Sequence, residues 1–166
     1  MSIIFHGLVV KGSARAALRR VKKLETDLRF SGWQATPQLA ILHPEVGPEG
    51  ADREAVFSEL EIVAAMLSSR CSGVLVLQID TRVGHRYCVY YSDGDPVEAF
   101  GVEREMYVPL DERGQPDWGA PRVAYADLDP DPKAEYATAV HAIDLGLQRL
   151  GTGTWQDVLR CIEDNL

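Results

Sequence analysis

Cysteine is scarce in this chain of 166 residues. The three cysteines, Cys71, Cys88 and Cys161, are widely spaced, and no two of them form a C-x-x-C pair. This spacing lacks the signature of the common zinc sites and dithiol redox sites. Free cysteine is commonly buried in proteins of reducing compartments, so we expect all three residues to be reduced structural thiols.

Long apolar runs are also missing. No stretch approaches the ~20 consecutive apolar residues that span a bilayer. The first six residues lack the charged segment, the longer apolar run and the cleavage site of a signal peptide. We therefore expect a cytoplasmic protein that does not enter a membrane.

Positive charge is in short supply, with 17 Lys and Arg against 25 Asp and Glu and a net charge of −8. This balance argues against binding to nucleic acid or to anionic lipid, since both require surplus cations. The charge is unevenly distributed. Residues 1–36 hold seven cations and two acids, whereas residues 93–135 hold twelve acids and four cations. The sequence therefore predicts an electrically polarised molecule.

Motifs for catalysis, metals and cofactors are incomplete. Gly7 and Gly12 have the spacing of a phosphate-binding loop, but Ser13 stands where that loop requires lysine. Residues 127–131 alternate carboxylates as a calcium loop does, but Pro132 stands where that loop requires glycine. The four histidines have no spacing that would place two of them on one metal. We expect no metal and no cofactor.

The composition, 46% hydrophobic and 25% charged, is that of a folded globular protein. Nothing in the sequence divides it, so we predict one domain over residues 1–166. The apolar run at residues 74–79 predicts the central strand, with residues 85–92 as its antiparallel partner. Further strands are predicted at residues 3–10, 38–42, 103–110 and 121–126.

Apolar residues at helical spacing predict four helices. The first begins after Ser13 and ends at Gly32; the second begins after Asp52 and ends before Gly73. The third begins at Asp131 and ends before Gly151, and a capping box at residues 154–157 opens the fourth. The predicted fold class is α+β, a mixed, largely antiparallel sheet with about four helices packed on it.

Five of the six tyrosines lie within residues 87–125, in or just before the acidic segment. Acidic groups can steer a basic protein, and aromatic side chains can supply the buried contacts. We therefore expect a non-enzymatic domain that binds a basic protein, as an inhibitor or an immunity protein against a toxic enzyme would. The candidate partner-binding residues are Glu103, Glu105, Tyr107, Asp111, Glu112 and Trp118. The plainer alternative is cross-strand aromatic packing beneath a solvated acidic face.

A second hypothesis is a small cytosolic enzyme that acts on a metabolite. His85 follows a sharp turn after Asp80, and a carboxylate–imidazole pair at this turn would be able to transfer protons. The plainer alternative is a histidine at a strand end beside a solvated turn aspartate. The sequence leaves the partner, the substrate and the oligomeric state open.

Overall fold

The computed structural model describes residues 2–45, 53–82, 85–103, 106–107, 112–113, 119–121, 123–124 and 142–166. Eight strands lie within these residues: β1 (Ile4–Lys11), β2 (Phe30–Thr36), β3 (Leu39–Pro44), β4 (Val74–Asp80), β5 (His85–Ser92), β6 (Asp95–Glu103), β7 (Met106–Tyr107) and β8 (Val123–Ala124). The helices described are α1 (Ala14–Val21), α2 (Arg53–Ser68), α3 (Ala142–Leu150) and α4 (Trp155–Asn165).

The strands form one sheet in the order β2-β3-β1-β4-β5-β6-β7-β8. Every pair of neighbouring strands described is antiparallel. In the register of the central strands, Leu8 of β1 lies opposite Val76 of β4 on one side and Leu42 of β3 on the other. The predicted α+β class and the central position of residues 74–79 are both confirmed.

Helices cover both faces of the sheet. Leu8 and Val10 belong to a buried cluster with Ala17 of α1 and Leu60 of α2. Phe5, Val9 and neighbouring strand residues belong to a second cluster, on the opposite face, with residues of α3 and α4, which include Ile143, Leu147, Val158 and Ile162. Successive residues of a strand point to opposite faces, so a strand covered on both sides is apolar throughout.

The first helix is shorter than its apolar spacing predicts. Helix α1 ends at Val21, and the prediction that it reaches Gly32 is wrong, because residues from Phe30 onward form β2. Between them, the Thr26 hydroxyl accepts a hydrogen bond from Leu28 N at 3.2 Å and donates one to Glu59 at 3.0 Å. Such local bonds compete with helical ones.

Two strand boundaries also differ from the sequence prediction. The strand predicted at residues 38–42 extends to Pro44, which is the last residue of β3 and lies opposite Phe30. Strand β6 was not predicted before residue 103, although it begins at Asp95. Pro96 lies beside a bulge in β6, where Val97 is the extra residue between the pairs Tyr90–Glu98 and Tyr91–Pro96, and the ladder there tolerates a residue without an N–H group.

Helix caps follow the sequence closely. The Ser13 hydroxyl accepts from Ala16 N at 3.1 Å and caps α1. Thr154 and Asp157 form the predicted capping box of α4. The predicted caps Asp52 and Asp131 lie outside the described residues. Among the helices described, none is long and apolar enough to cross a membrane.

Candidate functional site

The candidate partner-binding residues fall at one edge of the sheet where the structure describes them. Glu103 is the last residue of β6, and its backbone pairs with Met106 of β7. Tyr107 of β7 lies between Val102 of β6 and Val123 of β8 in the register. Glu112 is an exposed turn residue. The other three candidates lie outside the described residues: Glu105, Asp111 and Trp118.

Two further carboxylates of the acidic segment lie exposed at the hairpin between β5 and β6. Asp93 and Gly94 have φ angles of 52° and 90°, which is the left-handed geometry of a tight hairpin turn. Gly94 N donates to the Ser68 hydroxyl at 3.0 Å, so this hairpin is attached to the last residue of α2. Asp93 and Asp95 therefore present negative charge close to the end of that helix.

Exposed apolar side chains occur on the same two elements. Ile62 of α2 is 53% exposed and Val97 of β6 is 48% exposed. Leu166 is the third large hydrophobic residue exposed in the part of the chain that the structure describes. We refer to Glu61, Ile62, Asp93, Asp95 and Val97 as the α2–β6 seam. It combines exposed apolar surface with carboxylates.

Glu61 occupies the inner side of the seam. Tyr91 of β5 donates a hydrogen bond from its hydroxyl to the Glu61 carboxylate. Burial raises the pKa of Glu61, and the bond from Tyr91 partly opposes this rise. Burial and the Glu61 charge together raise the pKa of both Tyr87 and Tyr91, so these tyrosines stay protonated as hydrogen-bond donors.

The remaining acid of β6 is already paired. Glu98 forms an ion pair with Arg149 of α3, which joins the strand to the helix on the other face of the sheet. Its carboxylate therefore contributes to the fold and adds little free negative charge at the seam.

Asp80 and His85 lie opposite each other at the ends of β4 and β5, where the register pairs their Cα atoms. The Asp80 carboxylate accepts hydrogen bonds from Arg82 Nε at 2.9 Å and Arg82 Nη2 at 2.6 Å. It also accepts one from Arg82 N at 3.1 Å. The backbone thus brings the two candidate catalytic residues together, and Arg82 engages the carboxylate.

An aromatic stack near the opposite edge of the sheet was not anticipated from the sequence. The His43 ring stacks against two others, with centroid distances of 5.4 Å to Phe5 and 4.9 Å to Trp33, and these two rings lie 6.0 Å from each other. Burial lowers the pKa of His43, and the charge of Glu45 partly opposes this. A neutral imidazole in this three-ring cluster packs against aromatic side chains of β1 and β2, and we assign it a packing role.

The cysteines and the possible metal-binding side chains were also compared with the requirements of a reactive thiol and of a metal site. Cys88 and Cys161 are buried, Cys71 is half-buried, and none of the three forms a disulfide bond. Burial raises the pKa of Cys88 far above that of an ordinary thiol, which makes it a poor nucleophile. Among the described residues, no three His, Cys, Asp or Glu side chains are grouped so as to hold a metal ion.

Sequence reasoning missed the apolar part of the seam. The buried stripe of α2 comprises Leu60, Val63 and Leu67, and Ile62 lies off that stripe. The sequence did contain one indication of this surface, because Ile62 is an apolar residue that falls outside the apolar stripe of the helix. Comparison with protein-family models, with curated proteins and with solved structures finds no match to this chain.

Proposed function

We propose that this chain is a non-enzymatic protein-binding domain, of the inhibitor or immunity type, that neutralises a basic toxin or enzyme. Its binding surface is the acidic region around β6–β8 together with the α2–β6 seam. The proposal rests chiefly on Ile62 and Val97, which are half exposed on two contacting elements, and on the exposed carboxylates Asp93 and Asp95 of the hairpin that leads into β6.

The exposed apolar surface gives the seam binding energy. Full burial of an Ile or Val side chain contributes about 1.5–3 kcal/mol relative to exposure. Ile62 and Val97 are about half exposed, so a partner that covers both would gain about 2 kcal/mol in total. That gain corresponds to about thirtyfold in affinity.

The acids supply selectivity and speed. Residues 93–135 hold twelve carboxylates against four cations, and this excess creates a negative field; among the described residues of the segment, Asp93, Asp95 and Glu112 are exposed. Such a field accelerates the encounter with a basic protein and slows the approach of acidic ones, and it is screened within ~10 Å at 0.1 M salt. A basic partner is therefore favoured by charge, while the seam provides the desolvated contact.

The enzyme hypothesis keeps one supporting observation, which is that Asp80 and His85 pair across the β4–β5 hairpin. The Arg82 guanidinium weighs against it, because an ion pair stabilises the charged carboxylate and makes it a weaker base. The protein-binding hypothesis does not require the Asp80 carboxylate to act as a base. We therefore rank protein binding first.

Quantitative affinity capture from a native lysate tests the proposal. The bait variant Ile62→Ser with Val97→Ser should capture at least ten times less of the partner than the wild-type bait does. Mass spectrometry measures the amount captured. The control Leu166→Ser removes an equally exposed apolar side chain elsewhere and should retain the partner. A partner that is acidic, or that both variants retain equally, would refute the proposed surface.

A further inference from the structure

The face of α1 and its exit turn carries a dense group of cations. Five exposed basic side chains lie within nine residues, which are Arg15, Arg19, Arg20, Lys22 and Lys23. Arg15 and Arg19, and likewise Arg19 and Lys23, are four residues apart. Like charges at this spacing destabilise a helix, and Lys23, just past the end of α1, adds a further cation to the same exposed group.

No acid offsets this repulsion in the part of the chain that the structure describes. None of the five cations forms an ion pair there. Arg19 and Arg20 gain some stability from the helix dipole, because they lie in the last turn of α1. The remaining positive field is directed at solvent and is available to an anionic partner.

A groove adjoins the cations and gives the surface a second binding element. Its volume is about 400 Å³. Apolar side chains line it, and two cations stand beside them: Leu18, Leu24, Leu28 and Phe30, with Lys22 and Arg29. Glu45 also lines the groove and accepts a hydrogen bond from the Ser31 hydroxyl at 3.0 Å. An anion would therefore sit towards Lys22 and Arg29.

We propose that this basic face and its groove form a second interaction surface, which binds a short acidic polypeptide segment that inserts one large apolar side chain. The charge of the face is complementary to such a segment, and a groove of this size accommodates one or two side chains. Helix α1 packs against β2 and β3, at the sheet edge opposite β6–β8. The surface is thus separate from the acidic one and has the opposite partner preference.

A short segment fits this face better than a nucleic acid or a bilayer does. A duplex or a membrane extends beyond the basic patch, so it also meets the field of a molecule whose net charge is −8. A segment of a few residues contacts only the patch, because charges beyond about 10 Å are screened at 0.1 M salt. A phosphate backbone also has no apolar side chain that could fill the groove.

The test uses a fluorescein-labelled peptide of six acidic residues around one central phenylalanine, followed by anisotropy at low salt. Wild type should bind it, and Arg19→Gln with Lys23→Gln should weaken binding about fivefold or more. The matched control Arg70→Gln with Arg160→Gln removes two exposed cations elsewhere and should change affinity less than about twofold. Replacing the peptide's phenylalanine by serine should weaken binding to wild type about tenfold.

The Arg19→Gln and Lys23→Gln changes remove like-charge repulsion from an exposed face, so the melting temperature should not fall. This readout separates a lost site from a lost fold.

Absence of peptide binding to wild type, equal losses in the test and control variants, or indifference to the peptide's phenylalanine would each overturn the proposal. Selective binding to phosphatidylglycerol vesicles, lost in the test variant while the peptide fails to bind, would also overturn it. The basic protein that binds the acidic surface should bind the test variant as it binds wild type. If the peptide experiment contradicts the second surface, the proposed function is therefore unaffected.

Discussion

Truncation of Ile143 tests the placement of α3 on the sheet. Ile143 is 1% exposed and belongs to the buried cluster that includes Leu75, Leu77 and Leu147. Ile143→Ala removes three carbon atoms from a site that neighbouring side chains fill. A fully buried Ile→Ala change costs about 2–5 kcal/mol of unfolding free energy, through lost transfer energy and the cavity left behind. We expect a cost within this range.

Ile62→Ala is the matched control, because it makes the same chemical change on a helix at a side chain that is 53% exposed. Little burial is lost there, and alanine is a better helix former than isoleucine. The free energy of unfolding should therefore change by less than about 0.5 kcal/mol. The two substitutions should differ by about 2 kcal/mol or more, although their chemistry is identical.

Urea denaturation followed by circular dichroism measures both effects. Equal slopes of free energy against urea would show that the denatured states are comparable, so the midpoints report stability alone. A loss below about 0.5 kcal/mol for Ile143→Ala would contradict the packing of α3. A comparable loss for Ile62→Ala would show that the seam is covered in the free protein.

Three further predictions follow from particular side chains. Glu61 has a raised pKa, so the folded chain keeps a proton that the unfolded chain has lost, and stability falls as pH rises from 4.5 upward. Glu61→Gln should remove this fall in urea titrations across that range; an unchanged pH profile would refute it. Gly94→Ala should cost about 1 kcal/mol in the same assay, since its φ of +90° suits glycine while an added Cβ would make only ordinary contacts, at 3.8 Å to Ala65 O and 3.9 Å to Ser69 Cβ; no loss would contradict the turn geometry. If the enzyme hypothesis holds, His85→Gln and Asp80→Asn should each abolish a turnover found in a metabolite screen; full activity in both would eliminate the pair.

The central strands could be predicted because their burial is simple. β1 and β4 are apolar at both parities, and both of their faces are covered by helices. Capping residues were equally informative, because Ser13 and Thr154 act on backbone groups only two or three residues away. Helix caps and strands buried on both faces can therefore be predicted from local sequence patterns, without knowledge of distant contacts.

The errors arose where apolar spacing had another cause. Leu24 and Leu28 have helical spacing, but they pack against the core from the segment that follows α1. Helix formation there competes with the Thr26 bonds and with the pairing of β2 on β3. Strand β6 was missed before residue 103 because Pro96 and Gly101 are untypical of strands, and the bulge at Val97, within β6 itself, explains how the ladder tolerates Pro96.

The candidate surface was only partly accessible to sequence reasoning. Charge can be counted, so the acidic segment was evident. The exposure of Ile62 and Val97 depends on which parts of α2 and β6 are covered by other elements. The bond between Glu61 and Tyr91 joins residues 30 positions apart, and a sequence pattern cannot specify such a contact.

The most direct test of the central claim is the kinetics of binding to the basic partner recovered by affinity capture, measured by biolayer interferometry. Neutralising Glu103, Glu105, Asp111 and Glu112 together should lower the association rate at low salt, because charge acts mainly on encounter. The wild-type association rate should fall as salt rises, towards the rate of the variant.

Trp118→Ala should instead speed dissociation, because removal of an aromatic hot-spot side chain costs about 2 kcal/mol or more. The account predicts this separation, with the acids acting on association and the aromatic side chain on dissociation. Unchanged association of the four-fold charge variant at low salt would contradict it, and the acidic residues would then be a solvated face with no part in binding.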